Sequence, residues 1–172
     1  MIVGLAPAAH GGNRTGRIFT GDESGNFLFR ALYAVGLSNR PESVRAGDGL
    51  ELFGARLTAA VKCAPPDNRP LPEEFANCRE YLIREAALLA RPRVLVALGG
   101  LAFESCMQVL AETGAPSPRP KPRFVHGARY EIGDEVLYAS YHPSQQNTYT
   151  GRLTQRMLRS VLRRAAREAS AV

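Results

Sequence analysis

No run of eighteen or more apolar residues occurs in the chain, and its start lacks the basic-then-apolar pattern of a secretory leader. Neither a membrane span nor export is expected, and the cytoplasm is the expected compartment. Cysteine is scarce. Cys63, Cys78 and Cys106 are too few for a disulfide framework, which leaves buried thiols or metal ligands. No internal repeat is found. Neither a Walker lysine nor a dinucleotide glycine fingerprint accompanies Gly99-Gly100, which argues against a nucleotide-binding α/β protein.

Acids are absent from two basic stretches. Residues 152–167 carry Arg152, Arg156, Arg159, Arg163, Arg164 and Arg167, and a proline-rich loop carries Arg119, Lys121 and Arg123. With a net charge of +6, such patches suit a phosphate backbone, although a solvated helix face would carry the same residues. What is present fits one globular domain: 172 residues, 45% of them apolar, are enough for a substantial core.

Apolar runs alternate with helical periodicity, the pattern of an α/β fold built on a mainly parallel sheet. Four strands are expected: Met1 to Val3, Arg56 to Val61, Val94 to Leu98 and Val136 to Tyr141, with layers of helix on both faces. Val94 to Leu98 is continuously apolar, as a strand covered on both faces must be. Asp22 can cap a helix reaching about Val35. Glu73 to Ala90 is helical by period, with Phe75, Cys78, Leu82, Ala86 and Leu89 on one side. Phe103 to Leu110 is a further helix, and an amphipathic helix follows Arg152. Arg123 to Ile132 reads as an extended or hairpin segment.

The segment from Gly4 to Asp22 is glycine-rich, with Gly4, Gly11, Gly12, Gly16 and Gly21 permitting positive φ or close approach to a ligand. Arg14 and Arg17 add charge, so the segment reads either as a polyanion cradle or as an ordinary connection with solvated arginines. In a parallel sheet, ligands collect beyond the carboxyl ends of the strands. Phe19, Asp22 and His10 after the first strand, Asn68 after the second and His142 after the last therefore fall on one rim.

Three regions carry a resemblance: Gly4 to Asp22, Lys62-Cys-Ala-Pro-Pro-Asp-Asn68, and Ser140-Tyr-His-Pro-Ser-Gln-Gln-Asn-Thr148. In this order they resemble the motifs of uracil-DNA glycosylases, and within them the iron–sulfur branch, family 5 (type b). The resemblance implies a monofunctional enzyme that hydrolyses the N-glycosidic bond of uracil, or of another deaminated base such as hypoxanthine, flipped out of DNA. The implied partner is DNA carrying such bases; no membrane is involved and a monomer is expected.

By the same resemblance Phe19 stacks on the base, Ala6, Pro7, Ala8 and His10 line its site, and His142 stabilises the departing anion. Other branches place a carboxylate where Leu5 and Ala6 stand here. Asp22, aided by Asn68, is then the expected replacement, unless it is only a helix cap. Arg14, Arg17, Ser144, Gln145, Asn147, Thr148 and Arg152 are the expected DNA contacts. Family 4 carries an asparagine in the second strand that reads uracil, whereas Leu57 to Val61 holds none, so a broader substrate range is expected. Cys63 and Cys78 match two of the four cysteines that hold a [4Fe–4S] cluster in the family. The other two would lie upstream of the first motif, so the N-terminus is expected to be incomplete. The alternative function is a catalytically silent DNA-binding fragment.

Overall fold

A computed structural model describes residues 1–89 and 93–171. The strands are β1 (Ile2–Gly4), β2 (Leu57–Ala59), β3 (Val94–Leu98), β4 (Arg129–Ile132) and β5 (Glu135–Ser140). The helices are α1 (Gly12–Thr15), α2 (Glu23–Ala34), α3 (Pro72–Leu88), α4 (Gly100–Glu112), α5 (Gln145–Tyr149) and α6 (Gln155–Ser170), with a 3₁₀ turn at Pro66–Asn68. Ala90, the expected end of α3, lies outside the described residues.

The sheet has the order β2-β1-β3-β5-β4, in which β2, β1, β3 and β5 are mutually parallel. It holds five strands rather than four. β4 pairs antiparallel with β5 across the two-residue turn Gly133-Asp134, a link too short for anything but an antiparallel neighbour. A Gly-Asp dipeptide between two strand-like runs is a hairpin signal, and it resolves the ambiguous segment in favour of a hairpin.

β3 is buried at all five positions, because one apolar cluster lies on each face of the sheet. One cluster gathers Leu28, Phe29 and Leu32 of α2 with Leu158, Val161 and Leu162 of α6. The other gathers Phe103, Cys106 and Leu110 of α4 with Leu82 of α3. The apolar side expected for α3 is only partly covered: Leu82 is its one buried residue, and Leu89, beyond its end, is 39% exposed. Its main helical neighbour is α4, and Phe75 and Ile83 pack against the same cluster as Leu82 while remaining partly exposed.

The amphipathic α6 crosses from the sheet's carboxyl edge toward β4. There Arg129 Nε donates to Glu168 at 2.9 Å and the Tyr138 hydroxyl donates to the same carboxylate at 2.6 Å. Arg129, and after it Tyr138, hold Glu168 down to about 2. No helix among the described residues is long and apolar enough to cross a membrane.

Leu158 is fully buried where α6 meets α2 and the sheet. Leu158→Ala is expected to cost about 2–5 kcal/mol, the range for opening a cavity of this size. Urea unfolding followed by far-UV circular dichroism measures it.

Candidate active site

All four parallel strands end at one edge, with Gly4 beside Ala59 and Leu98 beside Ser140. Backbone bonds carry the pairing a little further: Ala60 N donates to Gly4 O, Val61 N to Leu5 O and Gly99 N to Ser140 O. The chain segments that leave this edge bear the expected site residues.

The loop after β1 folds back on itself instead of standing open for a ligand. A β-carbon at Gly4 would lie 2.6 Å from the Phe19 ring, and one at Gly25 would lie 2.1 Å from the Phe19 carbonyl oxygen. At Gly11 it would lie 2.1 Å from Asp22 Oδ2. The expectation for Gly4 and Gly11 is thereby corrected: neither has positive φ, and each is small because Phe19 and Asp22 occupy the space a side chain would take. Phe19 itself has φ 55°, a left-handed conformation that a bulky residue adopts only when its surroundings impose it.

Phe19 is 5% exposed and belongs to the core cluster, so it is a core phenylalanine in the first instance. Its outer neighbour is His142, with ring centroids 5.9 Å apart and planes inclined by 34°. Phe19 is thus a core residue whose ring also meets His142. His142 follows β5, is half-buried, and has its carbonyl held by Asn147 Nδ2 at 2.8 Å. Burial lowers its pKa to about 4, so the imidazole is neutral at physiological pH.

Asp22 caps α2: its Oδ1 accepts the Gly25 amide at 2.8 Å. Oδ2 lies over Gly11 and carries no hydrogen bond among the described residues. One oxygen serves the helix and the other is available to a water. The loop 5–22 carries the remaining first-motif residues. Ala6, Pro7 and Ala8 are half-buried, and the Ala8 carbonyl accepts from Gly11 and Asn13. His10 is exposed, its carbonyl accepting from Arg14 Nε at 2.9 Å. Asn68 is exposed in the turn after β2 with φ 54°, and Asp67 beside it has φ 51°.

Arg17 departs from expectation. Rather than pointing to a partner, its Nη2 donates to Asp48 at 2.6 Å and to Ser43 at 2.8 Å, and its Nε to Thr20 at 3.2 Å. Arg17, above all, holds the Asp48 carboxyl well below the usual carboxylate range. A charge expected to meet DNA is committed instead to Asp48, 31 residues away, a pairing no local pattern announces. Arg14 and Arg152 are exposed, and Arg152 lies over the Tyr141 ring at 4.7 Å. Gln145, Asn147 and Thr148 form α5 behind Ser144, whose carbonyl accepts the Asn147 and Thr148 amides. A cavity of about 700 Å³ opens beside β2, lined by Pro7, Arg17, Lys62 and Glu85 among others, but not by Phe19 or His142.

The thiols do not fit a four-thiolate cluster. Cys63 is exposed, Cys78 is half-buried with its sulfur accepting the Lys62 amide at 3.3 Å, and Cys106 is buried in α4 with its thiol pushed up to about 12 by burial. Among the described residues no three or more metal-binding side chains gather at one place. Among the described residues, then, no more than two such side chains are found together, short of the four thiolates a cluster needs.

His142 gives a pH signature. As pH falls from the ordinary histidine value of 6.5 toward about 4, the unfolded chain takes up the proton first, so this residue's contribution weakens the fold across that window. An NMR titration should show the His142 ring titrating near 4, and the stability of His142→Gln should fall less steeply with acid than that of the parent.

The family model described as the uracil DNA glycosylase superfamily matches residues 1–166. A "Type-5 uracil-DNA glycosylase" of Pyrobaculum aerophilum is 53% identical over 98% of this chain and 71% of its own length. Relatives of the same description from Thermus thermophilus and Mycobacterium bovis are 52% and 50% identical, over 97% and 96% of this chain and 74% and 61% of their own lengths.

Proposed function

The chain belongs to the uracil-DNA glycosylase superfamily, and from that premise we propose that it hydrolyses the N-glycosidic bond of uracil flipped out of DNA, leaving an abasic site. The observation that carries this reading is the contact of the Phe19 ring with His142 at one sheet edge, with Asp22 three residues after Phe19 in the loop that follows β1 and His142 following β5. A duplex hides its bases, so the target must leave the stack and enter the site.

As the bond between the sugar carbon and the base nitrogen breaks, its electron pair goes to the base and the sugar takes on cationic character. Neutral His142 donates to the base carbonyl oxygen, where the negative charge gathers. The Phe19 ring beneath it supports the face of the base. Asp22 Oδ2 orients the attacking water and stabilises the developing cation; the water's oxygen bonds to the sugar carbon, the proton it sheds passes by Asp22 to solvent, and the departed base anion takes one up from solvent. Asn68, after β2, assists on the water side.

A lyase step is not part of the reading. Lys62, the motif lysine, has its ammonium 2.8 Å from both Glu85 and the Thr58 hydroxyl, so it is engaged as an ion. The exposed residues of the third motif, Gln145 with Arg152 beyond it, and Arg14 from the first are proposed to meet the DNA backbone, where positive charge releases counterions. Ser144, Asn147 and Thr148 complete that contact.

The substrate range is proposed to extend to hypoxanthine. Thr58 is the one polar residue between Leu57 and Val61, and its hydroxyl is taken up by Glu85 and Lys62. The second strand thus presents no free group to reject a different base edge, and strong rejection depends on such groups being left unpaired.

Two experiments test the reading. Asp22→Asn keeps a cap of nearly equal quality while removing the charge, so stability should hold and uracil release should fall on the order of 10²-fold or more. A drop in melting temperature that accounts for the lost activity would reduce Asp22 to a cap. Matched duplexes carrying uracil, hypoxanthine or xanthine, compared by alkaline cleavage of the abasic product, test the range; release of uracil alone refutes the broad reading. DNA binding without any release would favour a silent binding fragment.

A further inference from the structure

We propose that His126 is a positioning residue for His142, acting through the Tyr141 backbone. The starting point is how the β4–β5 ladder ends. Ala139 N donates to Ala128 O at 3.0 Å, and Gly127 N donates to Ala139 O at 2.8 Å. Alternation then directs the Tyr141 amide to the same side as that of Ala139, two residues earlier. No strand carbonyl meets it. The His126 Nδ1 does, at 3.0 Å, so a side chain takes over where the backbone ladder stops.

The same imidazole stacks on the Tyr141 ring, with centroids 4.8 Å apart and planes within 13°. Arg152 lies over that ring as well, and Phe124 stands 6.0 Å from it. Tyr141 is therefore fixed twice by His126, once at its amide and once at its ring. The next residue is His142, whose carbonyl is held by Asn147. Together the two contacts fix the backbone on each side of the His142 α-carbon, and so the direction in which its ring leaves the strand.

An imidazole that accepts at Nδ1 carries its proton on Nε2 and must be neutral. Burial lowers the His126 pKa, which favours that form. The ring itself is separated from the reacting atoms by Tyr141, so its influence is on placement alone.

The inference rests on the proposed glycosylase activity for one of its tests and is independent of it in the other. His126→Asn keeps an acceptor oxygen near the Nδ1 position without the ring, and His126→Phe keeps a ring without the acceptor. In single-turnover uracil release at saturating enzyme, the Asn variant should stay within about threefold of the parent. The Phe variant should be about tenfold slower or more, the factor that one ordinary hydrogen bond carries, with DNA affinity within about twofold for both. A Phe variant as fast as the parent, or an Asn variant as slow as the Phe variant, overturns the proposal.

In ¹H–¹⁵N spectra of the free protein, the Tyr141 amide and the His142 ring signals should keep their positions in the Asn variant and move in the Phe variant. If they stay unmoved in the Phe variant, the positioning role is wrong whatever the activity. A parent chain that releases no uracil while the spectra behave as stated refutes the glycosylase reading and upholds the positioning. His126→Leu, smaller and equally without an acceptor, replaces the Phe variant in both measurements should the latter not fold.

Discussion

The site depends on a steric constraint: the loop from Leu5 to Asp22 can return to the sheet edge only by passing through space that side chains would fill. The Phe19 carbonyl presses on the Gly25 α-carbon, the Phe19 ring on Gly4, and Asp22 Oδ2 on Gly11. Substituting alanine at Gly25 would set a methyl group against backbone, which cannot swing aside. The left-handed φ of Phe19 is the conformational cost of the same manoeuvre, offset by burying its ring in the core. With Phe19 fixed, the position of Asp22 three residues later follows, because its cap to Gly25 closes the turn.

A second constraint acts at the other side of the rim, where the sheet runs out. β5 ends two residues before His142, leaving backbone groups that the ladder no longer serves. Asn147 takes up the His142 carbonyl, His126 the Tyr141 amide, and Gly99 the Ser140 carbonyl. Buried backbone groups need such partners whether or not a site is present. Here the partners that meet this need also hold the backbone on either side of His142, so one set of bonds serves both stability and the placement of that ring.

Charge tells a different story from its composition. The net charge of +6 and two acid-free basic stretches suit a phosphate backbone, yet outside those stretches Arg17 is consumed by Asp48, Arg129 by Glu168 and Lys62 by Glu85, and within them Lys121 by Glu104. Arg164 donates to the Gly127 carbonyl and lies over Tyr138. Of the arginines in α6, Arg164 thus helps hold the helix to the β5 side of the sheet, while Arg156 near its start is exposed. A sequence lists charges without their partners, and every one of these partners lies seventeen or more residues away.

Local patterns were enough for the sequence by itself to determine the α/β class, the buried central strand Val94–Leu98, the cap at Asp22, the amphipathic α6 and the rim on which Phe19, Asp22 and His142 sit. These features depend on residue spacing and on which end of a parallel strand faces the ligand, and spacing is written in the chain. Tertiary structure alone decided the commitment of Arg17 to Asp48, the partial cover of α3, the burial of Phe19 beneath His142 and the role of His126 at the end of the ladder. Each of those is a contact between segments distant in sequence, and a contact exists only once packing has brought both sides together.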